Sequence, residues 1–182
     1  MNRTRFKSCR PNLAKGSDFV KLRNKNLWSA VMIIVIIAID QLTKYFAKSA
    51  LYPDKAKDFI KGFIEFRYAE NTGMAFSMFS GARWFFVALT AVVVIAMFVY
   101  MFKKCQKNLW LYWTIGVLIS GAVGNLIDRI FLGYVIDFIN PTFVNFAIFN
   151  IADCAVTLGA VSLVAYLVFD MFKKDNKEGN NE

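Results

Sequence analysis

The sequence predicts an all-α membrane protein, four transmembrane helices with a small extracytoplasmic β-cradle formed by the two outer loops. Three observations lead there. Of the 182 residues, 57% are hydrophobic and 16% aromatic, more than one soluble domain of this length can hide. Four stretches are apolar over the roughly 20 residues that a bilayer crossing needs. Lys and Arg are spread unevenly over the segments between them, the asymmetry that orients membrane proteins.

The first stretch, 27–46, stays apolar until Asp40 and Lys44 in its last two turns. The second, 84–102, carries no charge, and the third is 109–127. The fourth, about 151–172, has Asp153 in its opening turn and Asp170 in its closing one. Eight Lys and Arg lie in the first 26 residues, three in the 103–108 connection and three after Phe172. The 47–83 loop has six, diluted by four acidic residues, and the 128–150 loop has only Arg129. Basic flanks are retained in the cytoplasm, so both termini are expected there, with the two long loops outside. The net charge of +9 then reads as topology and attraction to anionic membrane lipids. No basic run is interleaved with aromatics, and no nucleic-acid partner is expected. The first stretch continues into the polar run Asp40-Gln41-Leu42-Thr43-Lys44, an ending that a cleaved signal peptide does not need.

The chain divides into a basic cytoplasmic segment over 1–26, a four-span domain over 27–172 and a polar cytoplasmic tail over 173–182, with both ends expected to be mobile. In the first outer loop Ile64, Phe66 and Tyr68 alternate with Glu65 and Arg67. In the second, Tyr134, Ile136 and Phe138 alternate with Val135, Asp137 and Ile139. Period two predicts a strand in each, able to pair. Cys9, Cys105 and Cys154 offer no disulfide framework and no CxxC pair. The chain has no histidine. That excludes Ser-His-Asp and Cys-His catalysis and His-ligated metal sites, so a general base must be a carboxylate, a lysine or a tyrosine. No metal or cofactor is expected.

Ionisable residues within membrane spans are costly unless paired or wetted, and so point to function. Here they gather at one depth: Asp40 and Lys44 end the first span, Asn125, Asp128 and Arg129 end the third, and Asn150 and Asp153 begin the fourth. The opposite ends are expected to lack such a cluster. Asp40 and Lys44, four apart, share a helix face and can pair as a structural ion pair. Gly116, Ser120 and Gly124 form a small-residue stripe, read as helix packing rather than chemistry. Asp137 sits between Ile136 and Phe138, and Asp153 opens an apolar helix. Both should resist ionisation. Brought together, they would share one proton near neutrality, the acid/base arrangement of an aspartic protease. From spacing alone, a helix N-cap for Asp153 and a surface carboxylate for Asp137 remain open.

Five blocks carry a resemblance: Asp40-Gln41-Leu42-Thr43-Lys44; Asn71-Thr72-Gly73-Met74-Ala75-Phe76; Gly121 to Arg129; Val135-Ile136-Asp137-Phe138; and Phe149-Asn150-Ile151-Ala152-Asp153. In this order among four spans, they resemble the prolipoprotein signal peptidase family, signal peptidase II. The resemblance implies a monomeric endopeptidase of the bacterial cytoplasmic (inner) membrane, its site at the outer face. It would cut lipid-modified prolipoproteins just before the diacylglyceryl cysteine. By the same match Asp137 and Asp153 are the catalytic pair. Asn71, Gly73, Asn125, Arg129, Asn150 and Ala152 shape the site and hold substrate backbone, and Asp40 with Lys44 supports it. Arg129 could equally serve an interhelical hydrogen bond.

A small transporter relaying protons or cations through buried carboxylates is the rival reading, and it predicts polar residues through the whole depth. The middles of the second and fourth spans are apolar. A presenilin-like peptidase would need Gly-x-Gly-Asp within a span, and the chain has none.

Overall fold

The computed structural model describes residues 14–53, 55–73 and 83–178. Residues 1–13, with Cys9, lie outside the described residues, as do Met74 to Phe76 of the second block and the end of the 173–182 tail.

The elements run α1 (Ala14–Leu51), β1 (Ala56–Ile60), β2 (Ile64–Asn71), α2 (Arg83–Lys103), a 3-10 turn (Cys105–Lys107), α3 (Leu109–Phe131), β3 (Val135–Pro141) and α4 (Ile151–Glu178). Among the described residues four helices are long and apolar enough to cross a membrane, spanning Lys25–Leu51, Arg83–Lys103, Leu109–Phe131 and Ile151–Lys173. Each contains one stretch read from the sequence. The helices overrun those stretches because propagation costs little once a nucleus exists. α1 begins at Ala14, inside the basic 1–26 segment. α3 continues to Phe131, carrying Asp128 and Arg129 as helical residues.

α3 is the hub of the bundle: 56% of an apolar 18-residue stretch of it is buried, against 17–22% of the corresponding stretches in the other three. Its Leu111, Tyr112, Ile115, Leu118 and Ile119 form the core with Ile33 of α1 and Val94 and Met101 of α2. The small-residue stripe sets the close approach. Gly116 faces the Met32 side chain of α1, and Gly124 lies where a Cβ would come within 2.7 Å of Asp40 Oδ2 and 3.1 Å of the Ala152 Cβ. A Cβ on Gly121 would collide with the Ala152 carbonyl oxygen.

The connections at one end form a three-stranded antiparallel sheet in the order β1-β2-β3. β1 escapes the sequence pattern because Ala-Lys-Asp-Phe-Ile is exposed at every position and is held by its ladder to β2. Tyr68, Ile136 and Phe138 pack onto Ala47 and Leu51 in the last turn of α1, which seats the sheet on the bundle. Phe66 pairs with Ile139 and Ala69 with Asp137, so β2 carries one extra residue between those pairs. This bulge reverses the parity of β2. Asn71, paired with Val135, thereby shares the face of Asp137. Strict alternation from Phe66 would have sent it to the other.

The far end carries a smaller polar cluster that the sequence reading did not expect. Ser29 Oγ lies 2.9 Å from Tyr112 Oη, which donates to Asn26 Oδ1 at 2.8 Å, and Lys25 Nζ donates to the Gln106 carbonyl at 2.6 Å. Tyrosine and small polar side chains satisfy one another across α1 and α3 there, without a carboxylate.

Candidate active site

Two elements, β3 and α4, deliver the two aspartates. β3 holds Asp137 in a run, Val135 to Phe138, that is buried at every position. Beyond β3 the chain turns back, and Phe149 pairs with Ile139, its amide donating to the Ile139 carbonyl at 3.0 Å. That pairing sets Asn150 beside β3 and starts α4. Asn150 and Asp153 then close a reciprocal capping box. The Asp153 amide donates to Asn150 Oδ1 at 2.9 Å and the Asn150 amide to Asp153 Oδ2 at 3.2 Å. The N-cap is thus Asn150, and Asp153 occupies the third position of the helix.

Both carboxylates line one cavity of about 600 Å³, whose wall includes Asn71, Asn125, Arg129, Phe146, Cys154 and Leu158. Amide side chains tie the carboxylates together. Asn150 Nδ2 donates to Asp137 Oδ1 at 2.6 Å, Asn71 Nδ2 to Asp137 Oδ2 at 3.1 Å, and Asn125 Nδ2 to Asp153 Oδ1 at 2.7 Å. Burial pushes the Asp137 carboxyl up to about 7, and the charge of Asp153 adds to the push. The bonds from Asn71 and Asn150 and the charge of Lys44 pull the other way. The group is therefore poised to hold a proton near neutrality.

The other residues of interest form the surrounding frame. Gly73 donates its amide to Asn71 Oδ1 at 3.1 Å and accepts Arg129 Nη2 on its carbonyl at 2.9 Å. Among the described residues the hydrogen bond of the Arg129 guanidinium thus goes to the β2–α2 connection, with the Phe86 ring of α2 5.8 Å away. Ala152, fully buried, packs on Gly124 and gives its amide to Asp40 Oδ1 at 2.8 Å. Asp40 and Lys44, four apart on α1, lie 2.8 Å apart, and Lys44 is also 2.9 Å from Asp128 and from Asn125 Oδ1.

Two frame residues carried no role from the sequence. Gln41 Nε2 reaches Asp128 Oδ1 at 3.0 Å, Asp40 Oδ2 at 3.2 Å and the Gly124 carbonyl at 3.2 Å. Asp128 Oδ2 accepts the Ile136 amide at 3.1 Å. Their signal was a buried polar side chain at the depth of the aspartates, available for Asp128 from its position at the end of the third stretch.

Residues 32–169 match the model of the signal peptidase (SPase) II family. The chain is 35% identical over 147 residues to the lipoprotein signal peptidase of Enterococcus faecalis, covering 81% of this chain and 90% of that protein. It is 40% identical over 135 residues to the lipoprotein signal peptidase of Streptococcus pyogenes serotype M6, covering 74% and 89%. It superposes on a bacterial membrane enzyme solved by the in meso method at 2.3 Å resolution with a TM-score of 0.77, at 32% identity over 80% of this chain and 90% of that one. A second such structure, at 1.9 Å, gives 0.72 at 33% identity over 76% and 91%.

Proposed function

Since the chain belongs to the signal peptidase II family, whose activity is the removal of signal peptides from prolipoproteins, we propose that it does so as an aspartic endopeptidase with Asp137 and Asp153 as its catalytic pair. The observation that carries this is one apolar-walled cavity lined by both carboxylates, with Asp137 raised to about 7. One carboxylate, ionised, takes a proton from a water between them, and the other, protonated, donates to the scissile carbonyl oxygen. A gem-diol results. The first then gives its proton to the leaving nitrogen as the C–N bond breaks, while the second takes one back from the diol. The pair ends with the single proton it began with.

The frame suits that role. Asn71, Asn125 and Asn150 offer amide N–H donors that hold two carboxylates in place without neutralising them, and Arg129 on the cavity wall is the donor for a substrate carbonyl. The cavity wall runs onto the lipid side of α4 through Val156 and Leu158, 37% and 67% exposed, a path for the acyl chains of a diacylglyceryl cysteine. Cleavage falls just before that cysteine. The sheet end of the bundle faces outward and both termini face the cytoplasm, because the basic residues concentrate at the opposite end.

The test is cleavage of a diacylglyceryl-modified lipobox peptide by the purified protein in detergent, with Asp137→Asn, Asp153→Asn and a chelator control. A parent that cuts before the cysteine with chelator present, beside two folded and inactive variants, supports the reading. Variants that still cut make the carboxylates structural, and an inert parent removes the substrate assignment.

A further inference from the structure

α2 contributes no residue to the cavity wall, yet its first turn grips the arginine that does. Arg83 Nε donates to the Arg129 carbonyl at 2.7 Å and Arg83 Nη2 to the Ile130 carbonyl at 2.5 Å. These are last-turn carbonyls of α3, which no helical amide can reach. The chain leaves α3 through Gly133 at φ +91°, where a Cβ would lie 3.2 Å from Arg83 Nη1, so glycine leaves room for the fork to lie flat on the helix end. One turn further along α2, the buried Phe86 ring sits 5.8 Å from the Arg129 guanidinium.

From the Arg83 fork a chain of hydrogen bonds continues to the dyad. Arg129 Nη2 donates to the Gly73 carbonyl, the Gly73 amide to Asn71 Oδ1, and Asn71 Nδ2 to Asp137 Oδ2, at 2.9, 3.1 and 3.1 Å. Arg129 is thus fixed at both ends, its main chain by Arg83 and its side chain by Phe86 and Gly73.

We infer that Arg83, with Phe86, is a positioning residue for the peptidase reaction, aiming Arg129 into the cavity and through Gly73 and Asn71 holding Asp137 in register. This rests on the reading of Asp137 as catalytic. Arg83 touches neither the cavity nor the reacting atoms. A lysine there keeps a cation at the C-terminal end of α3 but has no planar fork to bridge two carbonyls.

The experiment uses the full chain in detergent. Arg83→Lys should keep the parent Tm within a few degrees and lower kcat/KM at least tenfold. In an Arg129→Lys background the same change should cost less than threefold further, because both act through one guanidinium. Amide hydrogen exchange of the peptide covering 71–73 should quicken at least tenfold in Arg83→Lys, with the middle of α3 unchanged. Full activity in Arg83→Lys, equal losses in the two backgrounds, or unchanged exchange at 71–73 would each overturn the inference. Should the Arg129 variant be inactive, the exchange measurement decides alone. Asp137→Asn run alongside separates the two readings: if it cuts, the dyad is lost, while the exchange still reports whether Arg83 holds the connection.

Discussion

Asp40 Oδ1 accepts the main-chain amide of Ala152 at 2.8 Å, tying α1 to the residue just before Asp153. Asp128 Oδ2 does the same, at 3.1 Å, for Ile136, the residue just before Asp137. Lys44 lies against both supporting carboxylates, and all three groups are 1–3% exposed. One buried ammonium therefore balances the two carboxylates that fix the backbone at each member of the pair. Lys44→Met should leave both uncompensated, a cost of about 3–5 kcal/mol for a broken buried ion pair. Tm in detergent should fall by roughly 10 °C and cleavage should be lost. Asp40→Asn keeps an acceptor for the Ala152 amide and should retain more activity than Asp40→Ala.

Asn150 has two separable duties. Its Oδ1 caps α4 through the Asp153 amide, while its Nδ2 donates to Asp137 Oδ1. Asn150→Ser keeps a capping oxygen and removes the donor. A lost hydrogen bond to a charged group is worth about 1.5–3 kcal/mol, or roughly ten- to a hundredfold in rate. Asn150→Ser should therefore hold its Tm near that of the parent and lose that much kcat. Asn150→Asp should lose more, since it sets another carboxyl against Asp137. Equal Tm losses in the two would place the role of Asn150 in the cap alone.

Asp137 sets a pH signature. Its proton is held to about 7 in the folded chain against roughly 4 for a free aspartate. A raised carboxyl contributes stability that is fully present below the unfolded value and is lost as pH rises through the folded one. Thermal stability should therefore decline between about pH 4 and 7, by a few kcal/mol at most at about 1.4 kcal/mol per unit. In Asp137→Asn that decline should flatten. Activity should be bell-shaped, falling above about pH 7 as the shared proton leaves and at acid pH as the pair takes up a second. A kcat/KM profile flat from pH 5 to 9 would contradict a one-proton pair.

The spans were legible because roughly 20 apolar residues in a row leave little choice of environment, and the aspartates because a carboxyl in an apolar context demands an explanation. Helix ends were not, since α1 reaches back to Ala14 across Gly16, Ser17 and Asp18, residue types that ordinarily favour helix ends over helix interiors. Nor was β1, whose stability comes from backbone pairing that no side-chain period records. The place of Asn71 depends on a bulge between Phe66 and Ala69, and period-two reading assigns it the wrong face. Gln41 and Arg83 act on residues 83 and 46 positions away in the sequence, contacts that exist only once α3 is packed at the centre.

The glycines of α3 give a graded test of the close approach at the site. A Cβ at Gly116 would come within 2.9 Å of Met32 Cε, the end of a flexible side chain that can move aside, so Gly116→Ala should shift Tm by no more than about 2 °C. At Gly124 a Cβ meets Asp40 Oδ2 at 2.7 Å, and that carboxylate is held by Lys44, Gln41 and the Ala152 amide. It cannot retreat without releasing the backbone before Asp153. Overpacking of this kind costs about 1–3 kcal/mol, and here the displaced group holds the first turn of the helix that carries Asp153. Gly124→Ala should therefore lose far more activity than its Tm change explains. Measuring Tm and kcat/KM for both variants checks this, and a Gly124→Ala enzyme of parental activity would show that the Asp40 to Ala152 bond does not govern Asp153.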